Sequence, residues 1–421
     1  MSDTAAQRFE LIDIRLPVGW TFAGLVAGLV LGMLLSANAS IELVLAVTEP
    51  VATLWLRALQ MTIIPLVGAL LVLGITQMAQ AARAGAAARR MLGLVFAVLI
   101  LSGLIAAIFM PMLLAIFPVP DAAAEVFARS ELADQQVPGI GEFLTSLIAP
   151  NIFAAAAETN MLPLTVFFAL LAVAITRLEQ AQRGSLLGLF HALANAMLMI
   201  IGWVLWLAPI GVFALALGVA SRAGADGAFV TLGHYILTVS AMGLLVLLGA
   251  YLLVWLLGRV NLLQFARAMV PTQAVALSTQ SSLASLPAML DSTNRLGFRQ
   301  STSEFVLPLA VAIFRATSPA MNMAVAIYVA HLAGVELSPV VLVGGILVAL
   351  IISVGSVSLP GSISFVVSIG PIALAMGVPI EPLALLVAVE MLPDIMRTLG
   401  NVTMNVALTG AIDRVGAKQQ N

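Results

Sequence analysis

A segment near the C-terminus carries five polar residues at helical spacing among apolar neighbours. The intervals between them are 4, 3, 4 and 4 positions. At about 100° per residue they fall within about 80° of one another, on one face of a helix. They are, in chain order, Glu390, Asp394, Arg397, Asn401 and Asn405.

Two of these charges could recognise an amino acid. The planar guanidinium of Arg397 has the geometry that binds a carboxylate through two hydrogen bonds. Asp394, three residues earlier on the same face, could hold an amino group. Together they would suit a zwitterion with an additional carboxylate. The alternative is an internal Asp394–Arg397 ion pair that serves packing alone.

The composition places this face inside a membrane protein. Of the 421 residues, 62% are hydrophobic and 9% are charged, and the mean hydropathy is +1.11. Several apolar runs reach the roughly 20 residues that span a bilayer as a helix, and none alternates with period two as barrel strands do. We therefore expect an all-α polytopic membrane protein. A charge at mid-bilayer costs about 2.5–3.5 kcal/mol, so the polar face should point into the protein.

Charge distribution predicts the orientation and excludes some partners. Arginines concentrate in alternate loops, which the positive-inside rule assigns to the cytoplasm together with both termini. A net charge of −2 argues against nucleic-acid binding, and the absence of cysteine excludes disulfides. The three histidines (His191, His234 and His331) lie outside the polar face, and we expect them to serve packing or the membrane interface.

Two apolar segments are interrupted by Gly, Pro and Ser. Residues 271–290 lie between two loops that are both predicted to be cytoplasmic, so they fit a re-entrant hairpin. A second hairpin is predicted over 341–379, entering from outside. Their interruptions, Ala284-Ser285-Leu286-Pro287 and Val357-Ser358-Leu359-Pro360, resemble each other. Paired broken segments of this kind indicate a transporter's binding site; ordinary kinked helices are the alternative.

These features, in this order, resemble the dicarboxylate/amino-acid:cation symporters, the glutamate-transporter family, over nearly the whole chain. The resemblance extends to L54-W-L-R-A-L-Q-M-T-I-I-P65, L207-A-P-I-G-V-F-A-L215 and N160-M-L-P-L-T-V-F-F168. The serine-rich first hairpin, the G-x-x-x-x-P-G of the second, and D394-x-x-R-T-x-x-N-V-T403 complete the set.

The resemblance implies eight transmembrane helices plus two re-entrant hairpins, arranged as inverted repeats with an elevator mechanism. A scaffold of approximately 12–80 and 146–220 would carry a transport domain of approximately 88–120 and 228–412. That domain would include hairpin one, 271–292, and hairpin two, 339–380. A homotrimer in the plasma (inner) membrane of a prokaryote, with no cofactor, is also implied.

The resemblance also assigns substrate contacts residue by residue. Arg397 would bind the side-chain carboxylate of an acidic amino acid or dicarboxylate, and Asp394 the α-amino group. The remaining predicted contacts are Asn401, Thr398, Ser318, the hairpin-one residues Ser281 and Ser282, and the backbone from Ser358 to Gly361.

Two family motifs for sodium are altered. The Asn-Met-Asp-Gly-Thr of the seventh helix is here Phe314-Arg315-Ala316-Thr317-Ser318, and a sodium-ligating Asp of the eighth is Asn405. The resemblance thus implies the loss of two carboxylates and the gain of one cation. We expect Arg315 to act as a tethered cation in place of sodium; the alternative is that it pairs with Glu390 for packing.

Without the usual sodium sites, transport would be coupled to protons or to exchange, and protons are favoured over sodium. Glu390 is the carboxylate not assigned to substrate. A passive uniporter or a substrate sensor of the same fold is the alternative function. An enzyme is not expected, because no histidine or lysine is placed to activate the hairpin serines.

Overall fold

The computed structural model describes residues 17–35, 41–83, 85–119, 140–223, 225–355 and 361–417. Every regular element in these ranges is a helix. The first nine are α1 Val18–Leu35, α2 Ile41–Gln60, α3 Ile63–Ala82, α4 Ala86–Ile116, α5 Ile140–Ser146, α6 Ile152–Ala157, α7 Met161–Ile175, α8 Gln180–Trp206 and α9 Ala208–Ala223. The others are α10 Ala225–Leu253, a π-turn Val254–Gly258, α11 Leu262–Thr279, α12 Leu286–Arg295, α13 Gln300–Ile313, α14 Ser318–Ala333, α15 Pro339–Gly355, α16 Gly361–Ala375, α17 Glu381–Leu386 and α18 Met391–Ala417.

Several helical stretches in the described part of the chain are long and apolar enough to cross a membrane. They are Glu42–Ala82, Ala86–Ile116, Gln180–Trp206, Val230–Gly258 and Gln300–Ala333. The expected all-helical membrane architecture is confirmed at this level. The division into eight spanning helices and two hairpins stays a prediction.

Helix α1 packs closely on α9 because glycines at every fourth position leave room for the neighbouring backbone. A Cβ atom added at Gly24, Gly28 or Gly32 would overlap a backbone oxygen of α9. At Gly28 that oxygen belongs to Phe213. These glycines therefore set the distance between the two helices.

Gly28→Ala is expected to destabilise the protein by about 1–3 kcal/mol, because a methyl group there forces the two backbones apart. The matched control is Gly19→Ala in the same helix, where an added Cβ meets nothing within 4 Å. That control should keep or slightly raise stability, since alanine is the better helix former. Thermal unfolding of the purified variants in detergent checks both. Equal midpoints for the two would contradict this account of the α1–α9 contact.

Helices α11 and α12 form an antiparallel hairpin. The Thr272 and Ser292 hydroxyls are 2.8 Å apart, and Ser292 also donates to the carbonyl of Ala268. Between the helices the chain turns at Gln280, which has a φ of 49°, in the left-handed region. The turn lies within the predicted first hairpin, and the two helices extend beyond its predicted bounds.

Two further interruptions surround the polar face. Helix α13 ends at Ile313 and α14 begins at Ser318, followed by Pro319, which favours the first turn of a helix. The chain also turns between α17 and α18, so that Glu390 precedes α18 rather than lying inside one continuous helix. Pro393 favours this start, because its missing N–H costs no hydrogen bond in the first turn of a helix. The Glu390 carbonyl accepts from Asp394 N at 2.9 Å, which keeps Glu390 on the same polar face as Asp394.

Candidate functional site

The charged residues of the polar face meet around the guanidinium of Arg397. Its Nη2 donates to Glu390 Oε1 at 2.7 Å, and its Nε lies 3.1 Å from Asp394 Oδ1. Glu390 is 1% exposed, Asp394 6% and Arg397 7%. Because a buried charge is tolerated only with partners and hydrogen bonds, the two carboxylates hold Arg397 in one orientation.

Helix α14 adds a third partner to the same guanidinium. Arg397 Nη1 donates to Asn322 Oδ1 at 2.7 Å, and Asn322 Nδ2 donates to Ser318 Oγ at 3.0 Å. Asn322 and Ser318 are both buried. The predicted substrate residue Ser318 is thus linked to Arg397 through an amide that the sequence analysis did not select.

Helix α10 supplies the partner of the second Glu390 oxygen. The Tyr235 hydroxyl donates to Glu390 Oε2 at 2.8 Å, while Oε1 faces Arg397. Tyr235 is fully buried. The two oxygens of Glu390 therefore have separate partners, one cationic and one phenolic.

The break between α13 and α14 is anchored by side chains of α4 and α18. Ser102 Oγ donates to the carbonyl of Ala316 at 2.6 Å and accepts from Ala320 N at 3.1 Å. Asn401 Oδ1 accepts from Thr317 N at 3.0 Å and lies 2.9 Å from Thr317 Oγ1. The oxygens of Ala316 and Asn401 therefore already accept hydrogen bonds from the protein.

Arg315 lies in this break, partly exposed, and its charge acts on both Asp394 and Arg397. With Arg315 included, the set of two cations and two carboxylates carries no net charge. Asn405, one turn beyond Asn401, is 1% exposed. Neither side-chain polar atom of Asn405 has a hydrogen-bond partner among the described residues.

Helical rise along α11 and α18 indicates that the tip of the first hairpin comes near the depth of Arg397. The chain near Gly258 packs against Gly410 on α18, and Gln273 Nε2 donates to Thr403 Oγ1 at 3.2 Å, so α11 and α18 run antiparallel. Seven more residues of α11 rise about 10 Å beyond Gln273, and six residues back along α18 cover about 9 Å from Thr403 to Arg397.

The predicted hairpin-tip serines are partly buried and already hold the turn. Ser281 Oγ accepts from Ala284 N at 3.2 Å, and Ser285 Oγ donates to the Ser281 carbonyl at 2.8 Å. Ser282 lies beside them in the turn.

The remaining predicted contacts belong to α18 and to the predicted second hairpin. Thr398 is buried on α18, next to Arg397. Ser358 lies outside the described residues. Gly361 begins α16.

Two residues that contact the cluster, Asn322 and Tyr235, were missed by sequence reasoning. Asn322 carried a usable signal, since it is an amide inside an apolar helix, four residues after a predicted contact. Tyr235 gave none, because a tyrosine in a membrane helix is ordinary. His234 was expected to serve packing or the membrane interface, and its Nδ1 lies 3.2 Å from the hydroxyl of Tyr328, which packs on Tyr235.

Comparison with known proteins supports the predicted relationship. The model of the sodium:dicarboxylate symporter family matches residues 18–415. The chain is 25% identical to the proton/sodium-glutamate symport protein of Bacillus caldotenax, covering 93% of this chain and 92% of that protein. It is 26% identical to the proton/glutamate-aspartate symporter of Escherichia coli (strain K12), covering 93% and 91%.

A further relative is named for a different substrate. The C4-dicarboxylate transport protein 1 of Pseudomonas aeruginosa (strain UCBPP-PA14) is 28% identical over 66% of this chain and 62% of that protein. The family-model match confirms the resemblance predicted from the motifs and the expectation of a transporter rather than an enzyme. With nearly its whole length matched, this chain belongs to the sodium:dicarboxylate symporter family.

Proposed function

We propose that this protein is a secondary active transporter of acidic amino acids or related dicarboxylates, driven by protons rather than by sodium at the usual family sites. The observation that carries the proposal is the buried guanidinium of Arg397, held between Glu390 and Asp394. The names of the relatives, which are glutamate, aspartate and C4-dicarboxylate transporters, support the substrate class.

Arg397 keeps donors for a substrate carboxylate. A guanidinium carries five N–H donors, and the contacts with Glu390, Asp394 and Asn322 use three of them. A carboxylate that approaches Nη1 and Nη2 can accept the remaining two. Asp394 has a second carboxylate oxygen for an amino group, which favours acidic amino acids over plain dicarboxylates.

The charge balance of the cluster favours proton coupling. Arg315, Arg397, Glu390 and Asp394 together are neutral, so aspartate or glutamate would bring one uncompensated negative charge into a buried site. An isolated buried charge is expensive. One proton on Glu390 removes this charge and also weakens the hold of Oε1 on Arg397, which frees the guanidinium for the substrate. Substrate and proton would then bind together.

The donor set around the break does not suit sodium. Hard cations are held by several oxygen ligands, whereas the Ala316 carbonyl and Asn401 Oδ1 already accept hydrogen bonds from Ser102 and Thr317. The amide of Asn405 offers one neutral oxygen where the family has a carboxylate. Arg315 adds a positive charge to the same region, so a second cation would be repelled.

The family relationship supports an elevator mode of transport. We propose a homotrimer whose scaffold comprises approximately 12–80 and 146–220, and whose mobile transport domain comprises approximately 88–120 and 228–412. The charged residues and their partners come from α10, α14, α18, the turn before α18 and the break before α14, all of which fall within the proposed transport domain. The whole cluster can thus move as one unit with its substrate.

Uptake of labelled aspartate, succinate and alanine into proteoliposomes tests the function, with and without sodium and with an inward proton gradient. Aspartate should accumulate about tenfold for each pH unit of gradient if one proton accompanies each substrate, and equally in sodium and in a sodium-free buffer. Accumulation that requires sodium would reject the coupling proposal. Equilibration without accumulation would indicate a uniporter, and binding without uptake a sensor.

Arg315→Met examines the tethered cation in the same assay. Without the Arg315 charge the empty site is negative, and aspartate affinity should fall at least about tenfold in sodium-free buffer. Arg295→Met removes an exposed arginine paired with Asp291 and is the matched control, expected to leave affinity unchanged. Unchanged affinity in Arg315→Met would make Arg315 a packing residue.

A further inference from the structure

A chain of hydrogen bonds runs from Arg397 to Ser318 through the side-chain amide of Asn322. Arg397 Nη1 donates to Asn322 Oδ1 at 2.7 Å, and Asn322 Nδ2 donates to Ser318 Oγ at 3.0 Å. Asn322 is 2% exposed and Ser318 is 4% exposed. The two residues are one turn apart on α14, so they lie on the same face of that helix. The predicted substrate contact Ser318 is therefore two hydrogen bonds away from the guanidinium.

The chemistry of the three groups fixes the direction of these hydrogen bonds. A guanidinium can only donate, so the atom of Asn322 that faces Arg397 must be the amide oxygen. The amide nitrogen, which can only donate, then faces Ser318, and the Ser318 oxygen must accept. The hydroxyl proton of Ser318 therefore takes no part in this chain and stays available for another partner.

Within the part of the chain that the structure describes, the hydrogen bond from Asn322 is the only one that the Ser318 hydroxyl makes. A buried donor without an acceptor destabilises a site, and a substrate oxygen beside Ser318 would supply the acceptor. We propose that Asn322 makes Ser318 an obligatory hydrogen-bond donor toward the substrate, and that it thereby selects a carboxylate over an amide. The inference rests on the acidic substrate class of the proposed function.

The selectivity follows from the number of donors that meet the substrate. In the proposed arrangement the free N–H groups of Arg397 and the hydroxyl of Ser318 all donate to one substrate group. A carboxylate can satisfy them, because both of its oxygens accept. The side-chain amide of asparagine has only one oxygen, so its NH2 group would face one of these donors. A buried site rejects an analogue that leaves its polar groups unpaired. Asparagine, which has nearly the shape of aspartate, is therefore the discriminating ligand.

Asn322→Asp reverses the hydrogen bond at Ser318. The carboxylate that replaces the amide still accepts from Arg397, but it also accepts the Ser318 hydroxyl proton, which the substrate can then no longer receive. The Ser318 oxygen becomes an acceptor toward the substrate and suits an NH2 group. Because the substitution also adds a negative charge, its effect on aspartate affinity alone does not test the proposal. The decisive comparison is the effect of Ser318→Ala in the two backgrounds, since the charge is constant within each pair.

Isothermal titration of the purified proteins with aspartate and with asparagine measures this double-mutant cycle. In the wild-type background, Ser318→Ala should lower aspartate affinity about tenfold or more, because a hydrogen bond to a charged group is lost, and asparagine affinity by less than about twofold. In the Asn322→Asp background, Ser318→Ala should change aspartate affinity by less than about twofold, since the hydroxyl proton is already held by the protein. Ser303→Ala removes a buried hydroxyl that donates to the Arg299 carbonyl on α13, and it should change neither affinity.

The outcomes distinguish this role of Asn322 from the function on which it rests. An equal loss from Ser318→Ala in both backgrounds would overturn the role and leave the acidic substrate class standing, because Asn322 would then only hold α14 against α18. A folded Asn322→Asp protein that binds neither ligand would also overturn it, since the change should shift preference toward asparagine. If Asn322→Asp does not fold, the ratio of aspartate to asparagine affinity in Ser318→Ala decides, and an unchanged ratio overturns the role. A wild-type protein that binds neither aspartate nor succinate would reject the proposed function and the inference together.

Discussion

Arg397→Lys is expected to lower the affinity for aspartate about 100-fold, a loss of about 3 kcal/mol. Lysine keeps the positive charge that Glu390 and Asp394 require, but it lacks the planar fork that can meet these carboxylates and a substrate carboxylate at once. Isothermal titration of the purified protein with aspartate at an acidic and a neutral pH measures the change. Lysine is the informative replacement, because Arg397→Ala would remove the ion-pair partner of two buried carboxylates, at about 3–5 kcal/mol in stability.

Arg299→Lys is the matched control for this change. Arg299 Nε contacts Asp413 Oδ1 at 2.8 Å at the far end of α18, in a more exposed ion pair outside the cluster. The same substitution there should change aspartate affinity by less than about twofold, since exposed pairs contribute little. If Arg397→Lys binds aspartate as the wild type does, Arg397 serves packing and the acidic substrate class is rejected for this cluster.

The sequence predicted the helical architecture and the polar face because both depend on local periodicity. These features do not depend on how the helices pack. They are the apolar runs of membrane length and the spacing of Glu390, Asp394 and Arg397. The turn before α18 was not predicted, because the polar spacing continues across it. Pro393 is the residue that indicates this turn. Periodicity identifies the face of a helix better than its first residue.

Partners from other helices could not be predicted in the same way. Tyr235 is 155 positions from Glu390, and Asn322 is 75 from Arg397. Their contacts depend on how α10 and α14 pack against α18, which no local pattern encodes. The roles toward substrate of all the predicted contacts, Arg397 and Asp394 included, stay predictions, and Asn401 additionally anchors the break at Thr317.

Glu390→Gln is expected to uncouple transport from protons while substrate exchange continues. The amide oxygen can still accept from Arg397, and Tyr235 can donate to or accept from the amide group, so the cluster keeps its shape. The empty site gains one positive charge, which aspartate itself then neutralises without a proton. Accumulation of aspartate should therefore lose its dependence on the pH gradient, which is about tenfold per unit in the wild type for one proton per substrate. Uptake measured at several imposed gradients gives this slope directly.

The response of uptake to membrane potential independently tests how much net charge the same variant moves. One proton and one singly negative substrate together carry no net charge. Wild-type uptake should therefore not change when a potassium diffusion potential is imposed. In Glu390→Gln the moving unit loses the ability to take up a proton, and an interior-positive potential should then favour entry of the anionic substrate. Glu304→Gln, at an exposed carboxylate of α13, should behave as the wild type in both tests. If Glu390→Gln keeps the wild-type slope and stays insensitive to potential, the coupled proton is bound elsewhere, and Asp394 becomes the carboxylate of the cluster to replace next.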